Sequence, residues 1–262
     1  MNEARWRFTT IAHAGRSLLG PVSDASAGEI LSRIPSRGAE RVLDVGCGKG
    51  ALLVRALERG GGTGIGIEPN PSFAAEALAL AGERLGAGRV RVVVSGFAPE
   101  VVGDERFPLV ICTGALHAFG GWDAALESVA TLLAPGGHAL LGPGYWRQPP
   151  AAAYLASTGI AADEMEPLHD LLERAHAAGW KGVAVHESTS AEWDDYEHAY
   201  AASVRAWSDA NPGDPDAGAF RERIDRWADA YARWGRETMG YALVLLARSS
   251  LGAQSSSSTT SP

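Results

Sequence analysis

The sequence predicts a doubly wound α/β fold: a mostly parallel sheet of seven strands, with a helical insert between the last two. Two observations carry that prediction. Short apolar runs alternate with helix-patterned stretches from residue 41 onward, the signature of parallel strands joined by right-handed crossovers. Unusual glycines, acids and aromatics fall where those runs end, and open α/β sheets bind ligands at the carboxyl ends of their strands.

Residues 41–48 (RVLDVGCG) form an apolar run ending in glycines, as a buried parallel strand does. A helix follows over 49–59, and Gly60 stops it. Residues 63–68 (TGIGIE) give the second strand. Asn70 is the expected N-cap and Pro71 the first position of a helix running to about Leu85. Residues 89–95 (RVRVVVS), 109–113 (LVICT) and 138–142 (HALLG) give strands three to five. Between the last two lies a helix over 122–133, closed by Pro135, Gly136 and Gly137. Residues 164–178 read as helix, 181–187 as the sixth strand and 241–247 as the seventh. Two helices, roughly 191–209 and 216–238, fill the insert and are split by the breaker NPGDPD. The chain then divides into a helical segment over 1–40, a core over 41–190, the insert over 191–239, the final strand over 240–250 and a tail over 251–262. That tail is small, polar and low in complexity, and is expected to be disordered.

Composition narrows the function. Of 262 residues, 46% are hydrophobic, enough for a sizeable core. The formal charge is −8, whereas a nucleic-acid-binding surface normally shows a basic excess, so no nucleic-acid partner is expected. Much of the acidity sits in residues 191–239, with 11 acidic against 6 basic side chains. No signal-peptide h-region opens the chain and no apolar run approaches a membrane span, so a cytoplasmic protein without a membrane partner is expected. Two cysteines, Cys47 and Cys112, are too few for a disulfide framework and read as small buried residues. The histidines show no metal-ligand spacing with cysteines or acids, so no metal is expected.

The sharpest motif is VLDVGCGKG, residues 42–50. Glycines at 46, 48 and 50 stand between strand and helix, where the missing Cβ permits a tight turn and close approach of a ligand. Glu68 ends the next strand, 24 residues after Asp44, where a carboxylate accepts hydrogen bonds from a ribose diol. A nicotinamide-binding site is the nearest rival, but it prefers G-x-G-x-x-G and pyrophosphate. Asp44 beside this G-C-G-K-G loop suits a cationic ligand better.

VLDVGCGKG, GIGIEPN, LVICTGALHAF and LLAPGGHALLG, in that order over residues 40–146, resemble the motif series of class I S-adenosylmethionine-dependent methyltransferases, whose fold is Rossmann-like. The resemblance implies S-adenosyl-L-methionine as cofactor and S-adenosyl-L-homocysteine as product. It implies that Asp44 and the backbone of Gly46, Cys47 and Gly48 hold the methionine portion. Glu68 would hold the ribose hydroxyls, with Pro69 and Asn70 beside the adenosine and Thr113 at the end of the fourth strand. Family members often place an acid after the third strand to bind the adenine amine. This chain has Ser95-Gly96-Phe97-Ala98, leaving a backbone carbonyl for the amine and Phe97 either against the ring or in the core. The segment before the first strand folds over the site as a lid in resembling enzymes.

Methyl transfer from a sulfonium is an in-line displacement, and alignment supplies most of the help an enzyme gives. His117, in TGALHAFGG after the fourth strand, is the first candidate base, because histidine titrates near neutrality; His13, in the expected lid, is the second. Tyr145 and Trp146, after the fifth strand, are candidates for the acceptor side with His117 and Trp193. Trp193, Tyr196, Tyr200 and Trp207 recur at helical spacing, as do Trp227, Tyr231 and Trp234. These faces either dock the insert on the core or roof an acceptor pocket. The expected function is methyl transfer to oxygen or nitrogen of a small molecule. A cofactor-binding protein without turnover and a macromolecular methyltransferase are the alternatives.

Overall fold

A computed structural model describes residues 6–248. The tail expected over 251–262 lies outside the described residues.

The strands are β1 (Arg41–Val45), β2 (Thr63–Ile67), β3 (Val90–Val93), β4 (Phe107–Thr113), β5 (Leu133–Gly142), β6 (Gly144–Trp146), β7 (Trp180–Glu187) and β8 (Met239–Arg248). They form one sheet in the order β3-β2-β1-β4-β5-β8, with β7 pairing β8 as well. The first five are mutually parallel, and β8 runs antiparallel to both β5 and β7. The strand count is eight, against the seven expected, because β5 resumes past Pro143 as β6. After Leu141 pairs with Val244, the Ala242 N–H donates to the Pro143 carbonyl (3.1 Å), and Tyr145 pairs with Gly240 further along β8. Proline has no N–H to continue the ladder, so the strand breaks there and restarts.

The strand period of two sends alternate side chains to opposite faces. Val42, Leu109, Ile111, Leu140, Leu243 and Leu245 face α2 (Asp24–Ser32), α3 (Ala51–Gly60) and α4 (Pro71–Leu85). Leu43, Val45, Val110, Cys112, Leu141 and Val244 face α5 (Trp122–Leu132) and α7 (Leu168–Ala177) on the other side. Helices on both faces make the sheet doubly wound. Asn70 caps α4 through its side chain, which accepts from the Ser72 N–H (3.1 Å), with Pro71 at the first helical position. The helix expected from residue 164 begins at Leu168, because Pro167 holds its N-cap extended (φ −60°, ψ 144°).

The insert is α8 (Ser190–Ala210) and α9 (Ala217–Ala230), separated by the expected breaker. Thr189 and Glu192 close α8 with a reciprocal capping box. After α9 the chain widens into a π-helical turn, Tyr231–Gly235, and a last short helix, α10 (Arg236–Thr238), leads into β8. Ahead of the sheet, α1 (Arg7–Ala12) lies against the insert: Phe8 meets the rings of Tyr200 (6.2 Å) and Phe220 (5.1 Å) edge-on. A further short helix, α6 (Ala152–Thr158), packs beside α9. Among the described residues no helix is long and apolar enough to cross a membrane.

Candidate functional site

The site is assembled where β1, β2 and β4 end. Gly46, Gly48 and Gly50 have φ of +73°, +53° and +79°, a region side-chain-bearing residues rarely adopt. The turn they make is pinned to β2, since the Gly46 and Cys47 N–H groups both donate to the Ile67 carbonyl (2.8 and 3.1 Å). Space is equally restrictive. A Cβ at Gly46 would stand 2.3 Å from that of Ala115, and one at Gly48 2.6 Å from Leu19 Cδ1.

Two carboxylates face this turn. Glu68 is buried and accepts from the Gly48 N–H through Oε2 (2.9 Å) and from the Asn70 N–H through Oε1 (2.8 Å). Burial pushes its pKa up, partly offset by those two bonds. A carboxylate has about four acceptor positions, so two remain for another partner. Asp44 is 2% exposed and its Oδ1 has no hydrogen-bond partner among the described residues. Burial, and then the charge of Glu68, push its pKa up to about 8. A buried carboxyl oxygen without a partner is a costly thing for a fold to keep, and a cationic donor is what would satisfy it.

Asp44, Gly46, Cys47 and Gly48 line a cavity of about 60 Å³ with Thr113 and Tyr241, roofed by Ser17–Gly20 and Val22. Sequence reasoning did not single out Tyr241. Its signal is topological: β8 runs against the parallel strands, so its first residues, not its last, stand at their carboxyl ends. The Tyr241 phenol is buried, bonds to Thr113 and has its pKa raised by that burial. The thiols of Cys47 and Cys112 are both free, buried and raised by desolvation.

The remaining expected residues divide between this cavity and its surroundings. Asn70 is buried, and its Nδ2 donates to Thr10 Oγ1 on α1 (2.9 Å), with half-buried Pro69 beside it. Gly96 is exposed, and Phe97 rests on Phe119 with ring centroids 4.7 Å apart. His13 is buried. Its Nδ1–H donates to the Thr9 carbonyl (2.8 Å), which leaves Nε2 to accept from the Tyr196 hydroxyl (3.0 Å). Burial first, then the charges of Lys49 and Arg16, outweigh the Thr9 bond and hold the imidazole below the ordinary histidine range. The Lys49 ammonium, in the glycine turn itself, donates to the His13 carbonyl (3.0 Å) and pairs with Glu76 (2.8 Å).

His117 stands apart from the cavity. It is exposed on a single turn, Leu116–Ala118, held by the Ala118 N–H on the Ala115 carbonyl (2.8 Å) and the Gly120 N–H on its own (3.1 Å). Tyr145 and Trp146 border a separate groove of about 960 Å³, where the Tyr145 hydroxyl donates to Glu187 (2.6 Å). Trp193 is packed inside, stacked on Tyr231 (6.3 Å, 24°), and docks the insert on the core with Leu18, Val22 and Leu243.

Comparison with known proteins agrees with this geometry. Residues 42–137 match the profile of a methyltransferase domain. The chain is 31% identical to the Uncharacterized protein YjhP of Escherichia coli (strain K12), over 92% of this chain and 97% of that protein. It superposes with a TM-score of 0.85 on a SAM-dependent methyltransferase from Geobacter sulfurreducens in complex with S-adenosyl-L-homocysteine (28% identity; 92% of this chain, 98% of the other). A SAM-dependent methyltransferase from Thiobacillus denitrificans, also in complex with S-adenosyl-L-homocysteine, gives 0.84 (27% identity; 92% and 98%). The chain belongs to the class I S-adenosylmethionine-dependent methyltransferases, with S-adenosylmethionine as its cofactor.

Proposed function

We propose that this methyltransferase moves the methyl group to an oxygen or nitrogen of a small molecule, as a cytoplasmic enzyme without a nucleic-acid or membrane partner. The observation that carries the cofactor half is the unpartnered Asp44 oxygen on the cavity beside the bare backbone of Gly46 and Gly48. When bound, the cofactor supplies a methyl carbon already activated by its sulfonium. Asp44 takes the ammonium end of the methionine portion, with Cys47 and Gly48 offering backbone. Glu68 takes the ribose hydroxyls with its free acceptor positions. Pro69, Asn70, Gly96 and Phe97 flank the adenosine, and Thr113 bounds the site at the end of β4.

The described part of the segment before β1 acts as the lid. Ser17–Gly20 and Val22 wall a cavity of about 60 Å³, whereas ligand pockets run to about 300–1,000 Å³. The cofactor therefore enters as that segment withdraws and is enclosed when it returns, excluding water. For proton removal the geometry favours His13, neutral at pH 7 and with Nε2 turned to Tyr196, while His117 on its exposed turn is the alternative. Trp193 shapes the acceptor side through Tyr196, which it meets edge-on (6.4 Å), and Trp146 through Tyr154 (6.4 Å), with Tyr145 beside it. The formal charge of −8 supports a small acceptor over RNA.

The test is calorimetric titration with S-adenosylmethionine, followed by assay of S-adenosylhomocysteine release on small-molecule extracts and on bulk RNA. Release on the extracts alone is expected. Release on RNA alone, or tight binding with no release on any acceptor, overturns the proposal.

A further inference from the structure

A second cavity, of about 500 Å³, lies between α1, α8 and α9, and its walls include Phe8, Tyr196, Glu197, Tyr200, Arg223 and Trp227. We infer that it holds the methyl acceptor, and that this acceptor is a small amine bound as its ammonium ion against Glu197, inside walls of Tyr196, Tyr200 and Trp227. The inference rests on the methyl-transfer reading above and supplies its substrate class.

Glu197 is the reason. It is 4% exposed, and among the described residues it has one hydrogen bond, from Trp227 Nε1 to Oε2 (2.7 Å). A neutral glutamine would accept that bond without the cost of burying a charge, so the carboxylate calls for a cation. Among the described residues no ion pair provides one. The Arg223 guanidinium lies 3.9 Å over the Phe8 ring and forms no ion pair among the described residues, and Arg226 is turned to Glu222 (3.9 Å). Burial pushes the Glu197 carboxyl up to about 7, the position of an acid still waiting for its partner. Tyr196, Tyr200 and Trp227 also line the cavity, and an alkylammonium that lies over the face of such a ring gains a cation–π attraction. A plain apolar ligand would leave the carboxylate unanswered.

A chain of hydrogen bonds runs from this cavity towards the glycine turn. The Tyr196 hydroxyl donates to His13 Nε2 (3.0 Å), and the His13 carbonyl is held by Lys49 of the glycine turn (3.0 Å). That order gives the proton a route. The ammonium passes one proton to the Tyr196 oxygen as the Tyr196 hydroxyl proton moves to His13 Nε2, which becomes imidazolium. The freed nitrogen lone pair forms the new N–C bond while the methyl C–S bond breaks, its electron pair staying on sulfur as a thioether. The product leaves with the positive charge on its methylated nitrogen.

The test uses the full chain and tetramethylammonium chloride, a probe that cannot be methylated, followed by saturation-transfer NMR and calorimetry without cofactor. Saturable binding is expected, weakened about tenfold or more by Glu197→Gln, which keeps the side chain's shape. Trp227→Leu covers the case in which that variant fails to fold, and it too is expected to weaken binding. Circular dichroism and melting are recorded for both. No saturable binding to the wild type, or equal binding by a folded Glu197→Gln chain, overturns the inference. A parallel titration with S-adenosylmethionine separates the claims: cofactor binding without tetramethylammonium binding removes the amine alone, and the converse removes the cofactor roles.

Discussion

Replacing Asp44 by asparagine keeps the side chain's shape and takes away its charge. In the folded chain this carboxyl holds its proton up to about pH 8, because it is buried and faces Glu68. Unfolded, it loses the proton near pH 3.9. Between those values the folded state binds more protons than the unfolded one, so stability falls as pH rises. At 1.36 kcal/mol per pH unit the loss reaches roughly 5 kcal/mol above pH 8. The Asp44→Asn variant has no such slope. Urea unfolding of cofactor-free protein should therefore show the variant about as stable as the wild type near pH 4 and several kcal/mol more stable near pH 9. Calorimetry should show the opposite preference for S-adenosylmethionine, with affinity reduced about 10- to 100-fold, the worth of one hydrogen bond to a charged group. A variant no more stable than wild type at pH 9 would refute the account of Asp44 as a buried acid whose ionisation goes unanswered. Unchanged cofactor affinity would refute its assignment to the ammonium end.

Other outcomes follow from neighbouring contacts. Gly48→Ala places a Cβ 2.6 Å from Leu19 at φ +53°, and should cost about 1–2 kcal/mol for the backbone alone. Adding Leu19→Ala should recover the steric part and not the backbone part, as read by melting of the single and double variants. Glu68→Gln leaves an NH₂ where Gly48 or Asn70 now donates, and should destabilise by about 1–3 kcal/mol in urea titration while weakening cofactor binding. His13→Ala should lower kcat by about 10²–10⁴-fold at saturating acceptor with a smaller change in KM, and Tyr196→Phe should reproduce that split.

The sheet was legible because its signals are local. The run at 41–45, the glycines after it and the Asn70-Pro71 cap each act through their own backbone, so a linear reading finds them. Glu68 was legible for the same reason, as the residue just past the end of β2. What escaped depends on direction and on contacts far along the chain. Tyr241 reaches the cavity only because β8 is antiparallel. Leu19 matters only because the N-terminal segment returns to Gly48. Glu197 reads in sequence as one more acid among the 11 of residues 191–239, and only the packing of α8 on α9 buries it beside Trp227. β6 escaped as a strand of three residues behind a proline. The aromatic spacing in the insert showed two ordered faces without saying what each one meets. Trp193 and Tyr231 meet the core, whereas Tyr200 and Trp227 meet α1 and each other's helix.

The reversed direction of β8 has an evolutionary consequence. Whatever the chain carries between β7 and β8 is delivered to the rim of the sheet without another crossover, because β7 ends there and β8 begins there. Residues 188–238 can therefore diverge while the turn after β1 stays as it is. A chimera that exchanges this stretch with a relative's, cut at Glu187 and at Met239, should inherit the donor protein's choice of acceptor and retain its own grip on the cofactor.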